Sequence, residues 1–145
     1  MYLERYAQAL LPEPDLTVSE WADEYRILDQ GSSSEPGRWR TDRTPYLREI
    51  MDSLSSKSDD DIIVFMKGAQ IGATEAGNNW LGYVIHHAPG PMLYVMPTVD
   101  SAKRASKQRI GPMLDSIPEV AAKVATPRAR DSGNTLFQKD YPGGT

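Results

Sequence analysis

Apolar positions along this chain follow two different patterns, and the patterns alternate. Leu47, Ile50, Met51 and Leu54 stand at i, i+3, i+4 and i+7, one face of a helix, and Pro45 suits its first turn. Ile62, Ile63, Val64, Phe65 and Met66 form a continuous β-branched and aromatic run, which fits a strand buried on both faces. A loop with two glycines follows from Lys67 to Thr74, and then a helix is predicted over residues 75–86 despite Gly77 and Gly82. The turn Ala88, Pro89, Gly90, Pro91 leads to a second buried strand over residues 92–96, stopped by Pro97. Beyond Thr98 a basic helix is predicted over about residues 101–114. Strand, glycine loop, helix, strand, helix is a βαβ order. It predicts an α/β domain built on a parallel sheet with flanking helices, with ligands at the carboxyl ends of the strands.

The flanks are less regular. Residues 2–11 suit a short helix ended by Pro12 and Pro14. A second short helix is predicted from Ser19 to about Tyr25, with Thr17 or Ser19 as N-cap and acids in the first turn, where the helix dipole favours them. Residues 30–37 and 55–61 read as loops. The tail beyond Pro127 reads as irregular, with a strand at residues 135–139 and a turn at Pro142, Gly143 and Gly144.

Composition narrows the chemistry. The 145 residues suffice for one domain, and the absence of cysteine excludes disulfides, thiolate zinc sites and cysteine nucleophiles. The longest purely apolar run has five residues, whereas a membrane span needs about 20, so no membrane partner is expected. No basic stretch followed by an apolar core opens the chain, and it reads as cytoplasmic. The first hundred residues carry 8 basic and 16 acidic groups, the remainder 8 basic and 4 acidic. Contact with nucleic acid is therefore expected to be local and in the second half. Lys103, Arg104 and Lys107, with Arg109 close by, are the candidate DNA contacts; the same run also reads as a solvated helix face. His86 and His87 are adjacent, do not face one another on a helix, and suit a helix end better than a metal site. Ser32, Ser33 and Ser34 have no partner base at readable spacing, so serine-nucleophile chemistry has no support.

The loop carries the sharpest signal. A phosphate-binding loop reads G-x-x-x-x-G-K-[ST] between a strand and a helix. Here Gly72 fills the second glycine position and Thr74 the hydroxyl position, while Ala73 stands in the lysine position and Lys67 in that of the first glycine. A loop wrapped round a phosphate brings its ends together, so Lys67 can reach the same oxygens from the loop's start. The candidate phosphate site is Lys67, Gly68, Ala69, Gln70, Ile71, Gly72, Ala73 and Thr74, with Thr74 also helping to hold Mg²⁺. The alternative is an ordinary turn with a lysine at a strand exit.

Three groups of residues together resemble the lambda-like large terminase subunit of tailed bacteriophages, the GpA family. They are residues 39–49 (Trp-Arg-Thr-Asp-Arg-Thr-Pro-Tyr-Leu-Arg-Glu), residues 67–72 (Lys-Gly-Ala-Gln-Ile-Gly), and Gly90, Pro91, Met92 with Pro97 and Thr98. The resemblance runs from about Ser19 to the end of the sequence. It implies a helicase-like P-loop NTPase fold and an ATP-driven motor that moves double-stranded viral DNA into a capsid. It implies ATP and Mg²⁺ as cofactors, the small terminase subunit and the portal as partners of the full-length protein, assembly into an oligomer, and the cytoplasm of a bacterial host. It tolerates a displaced loop lysine such as Lys67. It places Tyr46 and Arg48 on the adenine side and makes Pro97 and Thr98, after the second strand, a coupler between nucleotide and DNA. It also implies an arginine at the γ-phosphate, which the sequence does not assign.

Two features depart from the family pattern. No Asp-Glu pair follows an apolar run, so the Walker B acids that hold Mg²⁺ and activate water are missing, and no nuclease domain is present. The expected organisation is an N-terminal helical segment at residues 1–30 and, at 31–145, the front of a P-loop ATPase domain truncated before Walker B. Such a chain binds ATP phosphates and is itself inactive as an ATPase. Two alternatives stay open: a nucleotide- or DNA-binding remnant without turnover, and a partner-docking module.

Overall fold

The computed structural model describes residues 14–31, 35–124 and 134–145. The helix expected at residues 2–11 and the serines at 32–34 lie outside them.

Helix α1, Val18–Tyr25, begins at Thr17 with a reciprocal cap. The Thr17 hydroxyl accepts from the Glu20 amide at 3.3 Å, and the Glu20 carboxylate accepts from the Thr17 amide at 2.8 Å. Val18, Trp21 and Ala22 fall on one face and are buried. Beyond α1, β1 (Ile27–Leu28) pairs antiparallel with β2 (Gly37–Arg38), placing Ile27 opposite Arg38 and Leu28 opposite Gly37.

Two 3₁₀ turns, Thr41–Arg43 and Pro45–Leu47, lead into α2, Arg48–Ser53. The predicted helical face holds: Leu47 and Met51 are fully buried, and Ile50 and Leu54 pack against the same core. Pro45 opens its turn as expected.

Helix α3, Ala73–His86, is the centre of the domain. It packs on α1, α2 and the later helices. Its two interior glycines weaken it by propensity, but Gly82 answers to packing. A Cβ there would stand 2.3 Å from Cη2 of Trp21, so the buried indole can lie across the helix only where the side chain is a hydrogen. The indole N–H donates to Nδ1 of His86 at 2.9 Å, and His86 closes the helix, where the sequence expects a histidine.

The basic segment forms α4, Val99–Ala105, capped by Thr98, whose hydroxyl accepts from the Ser101 amide at 3.1 Å. It runs on through a π turn, Ser106–Ile110, into α5, Gly111–Ser116, followed by α6, Pro118–Ala121. Pro112 lacks the N–H that a regular helix would donate to Gln108, and the helical register changes just before it. Met113, Leu114, Ile117 and Val120 from these elements complete the core against Tyr83 and Ile85. The tail forms two isolated bridges, Asn134 with Lys139 and Tyr141 with Gly144, the latter around the expected turn, and it closes onto the loop before Met92 through the Tyr141 hydroxyl and the Gly90 carbonyl.

The parallel sheet is where structure and expectation differ. Among the described residues the only sheet is the β1–β2 pair, so the chain mixes helix and strand without the expected architecture. Residues 62–66 and 92–96 enter no ladder. Ile62, Val64 and Met66 are 84%, 85% and 95% exposed, and Leu93 and Val95 are 86% and 77% exposed. Phe65 alone of the first run packs against the core. An apolar run records a demand for burial, but a strand also needs a partner strand for its backbone groups; the Met92 amide donates to the Thr145 carbonyl at 3.2 Å, and among the described residues no ladder grows from that bond.

Candidate functional site

The glycine loop stands directly before α3. Two residues turn it in left-handed conformations, Gln70 at φ 56° and Gly72 at φ 87°. Gly72 is the position where a side chain is least tolerated. It has positive φ, and a Cβ there would meet Cδ1 of Leu47 at 3.1 Å. Lys67 to Gln70 and Thr74 are exposed, while Ile71, Gly72 and Ala73 are half-buried. The Lys67 ammonium lies along its own loop, 3.4 Å from the Gly68 carbonyl. Helix α3 starts with no side-chain cap, so the amides of its first turn are left for another acceptor.

Tyr46 meets this loop. Its hydroxyl donates to the Ile71 carbonyl at 3.0 Å, while the ring is half exposed. With Leu47 beneath Gly72, the turn Pro45–Leu47 supports the loop from one side. Arg48 pairs with Asp42 at 2.9 Å on the surface.

Below the loop lies an ion-pair network that sequence reasoning missed. Glu75, in the first turn of α3, accepts from Arg26 Nη2 at 2.8 Å, from Asn78 Nδ2 at 3.2 Å and from Arg109 Nη1 at 3.3 Å. Arg26 is buried. Its Nε donates to the Asn79 side-chain oxygen at 3.1 Å and its Nη1 to the Ile27 carbonyl. Burial pushes the Arg26 pKa down, and the charge of Glu75 and its hydrogen bond oppose that shift. A buried guanidinium so fully paired fixes the end of α1 to the start of α3. Nothing in the sequence singles out Arg26, since its partners lie 49 and 53 positions away; Glu75 carries the weak signal of an acid in a helix's first turn.

A cavity of about 410 Å³ opens beside Thr74. It is lined by Thr74 and Asn78 of α3, by Ser101, Arg104, Gln108 and Arg109 of the basic segment, and by Tyr94 and Met96. The structure thus brings the loop's hydroxyl residue and the basic segment together. Lys103, Arg104 and Lys107 are all exposed, and of these three Arg104 lines the cavity. A second cavity of the same size is mainly apolar and lined by Leu81, Ile85, Met92, Leu114 and Phe137 among others. Among the described residues no three His, Asp or Glu side chains cluster as a metal site, and no helix is long and apolar enough to cross a membrane.

No curated protein and no solved structure matches the chain. A family model, phage terminase large subunit gpA, ATPase domain, matches residues 33–145, a range that holds Tyr46, the whole glycine loop and the basic segment. That range is well over half of the sequence, and the chain therefore belongs to the gpA family of phage terminase large subunits, in its ATPase domain.

Proposed function

We propose that this chain forms the nucleotide-binding part of a DNA-packaging motor, with P-loop NTPase chemistry carried by residues 31–145. Lys67 and the loop amides from Gly68 to Thr74 take the β- and γ-phosphates. The Thr74 hydroxyl is the group on this chain suited to Mg²⁺, whose charge would offset that of the phosphates. Tyr46 faces the base, with Arg48 near it. In the full-length protein ATP hydrolysis drives double-stranded viral DNA toward the capsid, with the small terminase subunit and the portal as partners and an oligomer as the working form. Lys103, Arg104 and Lys107 offer charge to DNA phosphates.

The observation that carries this reading is the loop itself. It turns at Gln70 and Gly72, is held by Tyr46 and Leu47, and delivers an uncapped helix start with Thr74 exposed beside it. The test is a calorimetric titration of Mg²⁺-ATP into the intact chain and into Lys67→Ala. Saturable binding that the substitution weakens tenfold or more, about 1.4 kcal/mol, supports the reading. Absence of binding by a folded sample overturns it.

A second reading is favoured by one feature: no Asp-Glu pair follows an apolar run. The chain would then bind nucleotide or DNA without turnover. Salt-dependent DNA binding that does not depend on ATP selects this reading.

A further inference from the structure

Two helices of this chain carry a glutamate at the third helical position, and the two side chains are used differently. In α1, Glu20 folds back onto its own helix start, and its carboxylate accepts from the Thr17 amide at 2.8 Å. In α3, Glu75 stands at the corresponding place, three residues beyond Gly72, yet no side chain caps that helix. The Glu75 carboxylate is taken by other side chains. Its Oε2 accepts from Arg26 Nη2 at 2.8 Å, and its Oε1 accepts from Asn78 Nδ2 at 3.2 Å and from Arg109 Nη1 at 3.3 Å. Among the described residues, Oε2 thus depends on Arg26 alone. Arg26 is itself fixed: Asn79 takes its Nε, the Ile27 carbonyl takes its Nη1, and its side chain is 1% exposed.

We propose that Arg26 is a positioning residue for the phosphate loop: by holding Oε2 of Glu75 it keeps that carboxylate from capping α3 and leaves the amides at the helix start open to a phosphate. The inference rests on the reading of the loop as a phosphate site, and it adds a residue that lies outside the range matched by the family model. The physical argument is competition. The first-turn amides and the positive end of the helix dipole attract any anion within reach. A glutamate at the third position is an acceptor that a helix start ordinarily uses, as α1 shows. A carboxylate released next to Thr74 would occupy amides that a phosphate needs, and its charge would repel the phosphate as well. Arg26 removes both effects, because a buried guanidinium neutralises the carboxylate and holds it by a charge-assisted bond of ordinary length. Asn78 brings no charge and Arg109 is half exposed at a longer distance, so neither replaces Arg26.

The experiment uses the full 145-residue chain and measures Mg²⁺-ATP and Mg²⁺-ADP affinities, each with a melting temperature. The proteins are the native chain, Arg26→Gln, the double variant Arg26→Gln with Glu75→Ala, and Lys67→Ala. Arg26→Gln should weaken both nucleotides about fivefold or more, the fold-change that matches the usual strength of a charge at a helix start. Adding Glu75→Ala should return both affinities to within about twofold of native, whether or not the melting temperature recovers. A loss that the second substitution leaves in place shows that Arg26 acts through the fold alone and overturns the inference. A smaller change than about fivefold in a folded Arg26→Gln, with Lys67→Ala weakening both nucleotides, overturns it too and leaves the loop reading standing. The double variant removes both charges of the pair together, so it decides alone if Arg26→Gln does not fold. Binding within about twofold of native then supports the inference, and weaker binding overturns it. Failure of the native chain to bind either nucleotide overturns the loop reading and this inference with it.

Discussion

The Tyr46 hydroxyl donates to the Ile71 carbonyl across 3.0 Å, so the residue expected at the nucleotide base is also a support of the phosphate loop. These two roles separate on substitution. Tyr46→Phe removes the hydrogen bond but keeps the ring. In so exposed a place the bond contributes at the low end of the usual range, about 0.5 kcal/mol. We expect Tyr46→Phe to bind Mg²⁺-ATP within about threefold of the native chain, and Tyr46→Ala to lose tenfold or more, since aromatic stacking on a base contributes about 1–3 kcal/mol. Calorimetry on the two variants decides; equal losses would remove Tyr46 from the base.

Arg26 tests the network beneath the loop. Removing one partner of a buried ion pair costs about 3–5 kcal/mol, because the other charge stays behind. Glu75 retains Asn78 and Arg109, so Arg26→Ala should fall near the lower bound. Urea unfolding of the variant measures it; a loss below about 1 kcal/mol would mean that Arg26 contributes no more than a surface pair.

Gly82 and Trp21 form a lock of shape. Gly82→Ala gains helix propensity worth about 1 kcal/mol but forces a Cβ into the indole, an overpacking cost of about 1–3 kcal/mol or more. The variant should be the less stable protein. Trp21→Phe introduced with it should recover part of the loss, and a double-mutant cycle measures that coupling.

The exposed apolar runs predict self-association. Ile62, Val64 and Met66, with Leu93 and Val95, leave backbone and side chains open to pairing with other chains. Light scattering should show association that grows with concentration. Val64→Lys combined with Val95→Lys should reduce it without lowering the melting temperature. A lower melting temperature would show that these side chains are buried in the native protein.

Asp140 gives a pH test. Hydrogen bonds from Gln138, and then Thr145, lower its pKa below the usual aspartate range. A depressed folded-state pKa contributes stability above the unfolded value, about 3.9, that is lost as pH falls through the folded value. A carboxylate NMR titration should place the Asp140 midpoint below that of an ordinary aspartate, and Gln138→Ala should move it upward.

The sequence by itself determined the local features. The face of Leu47, Ile50, Met51 and Leu54, the helix after the glycine loop and the basic helix after Thr98 follow from interactions within a few residues and are present, and of the two caps that the sequence offers, Thr17 and Ser19, Thr17 is the one used. The loop's glycine at Gly72 was legible for the same reason, since its left-handed backbone is a local demand. Only the tertiary structure decided the rest. Glu75 gains its importance from Arg26 and Arg109, 49 and 34 positions away, and no periodicity reports a pair that distant. Tyr46 beneath Ile71 and Gly82 beneath Trp21 are likewise contacts between elements. The two apolar runs mark the limit most clearly. Their composition states that they are to be buried, but whether a strand forms depends on a neighbour's backbone, and that is a property of the fold and not of the segment.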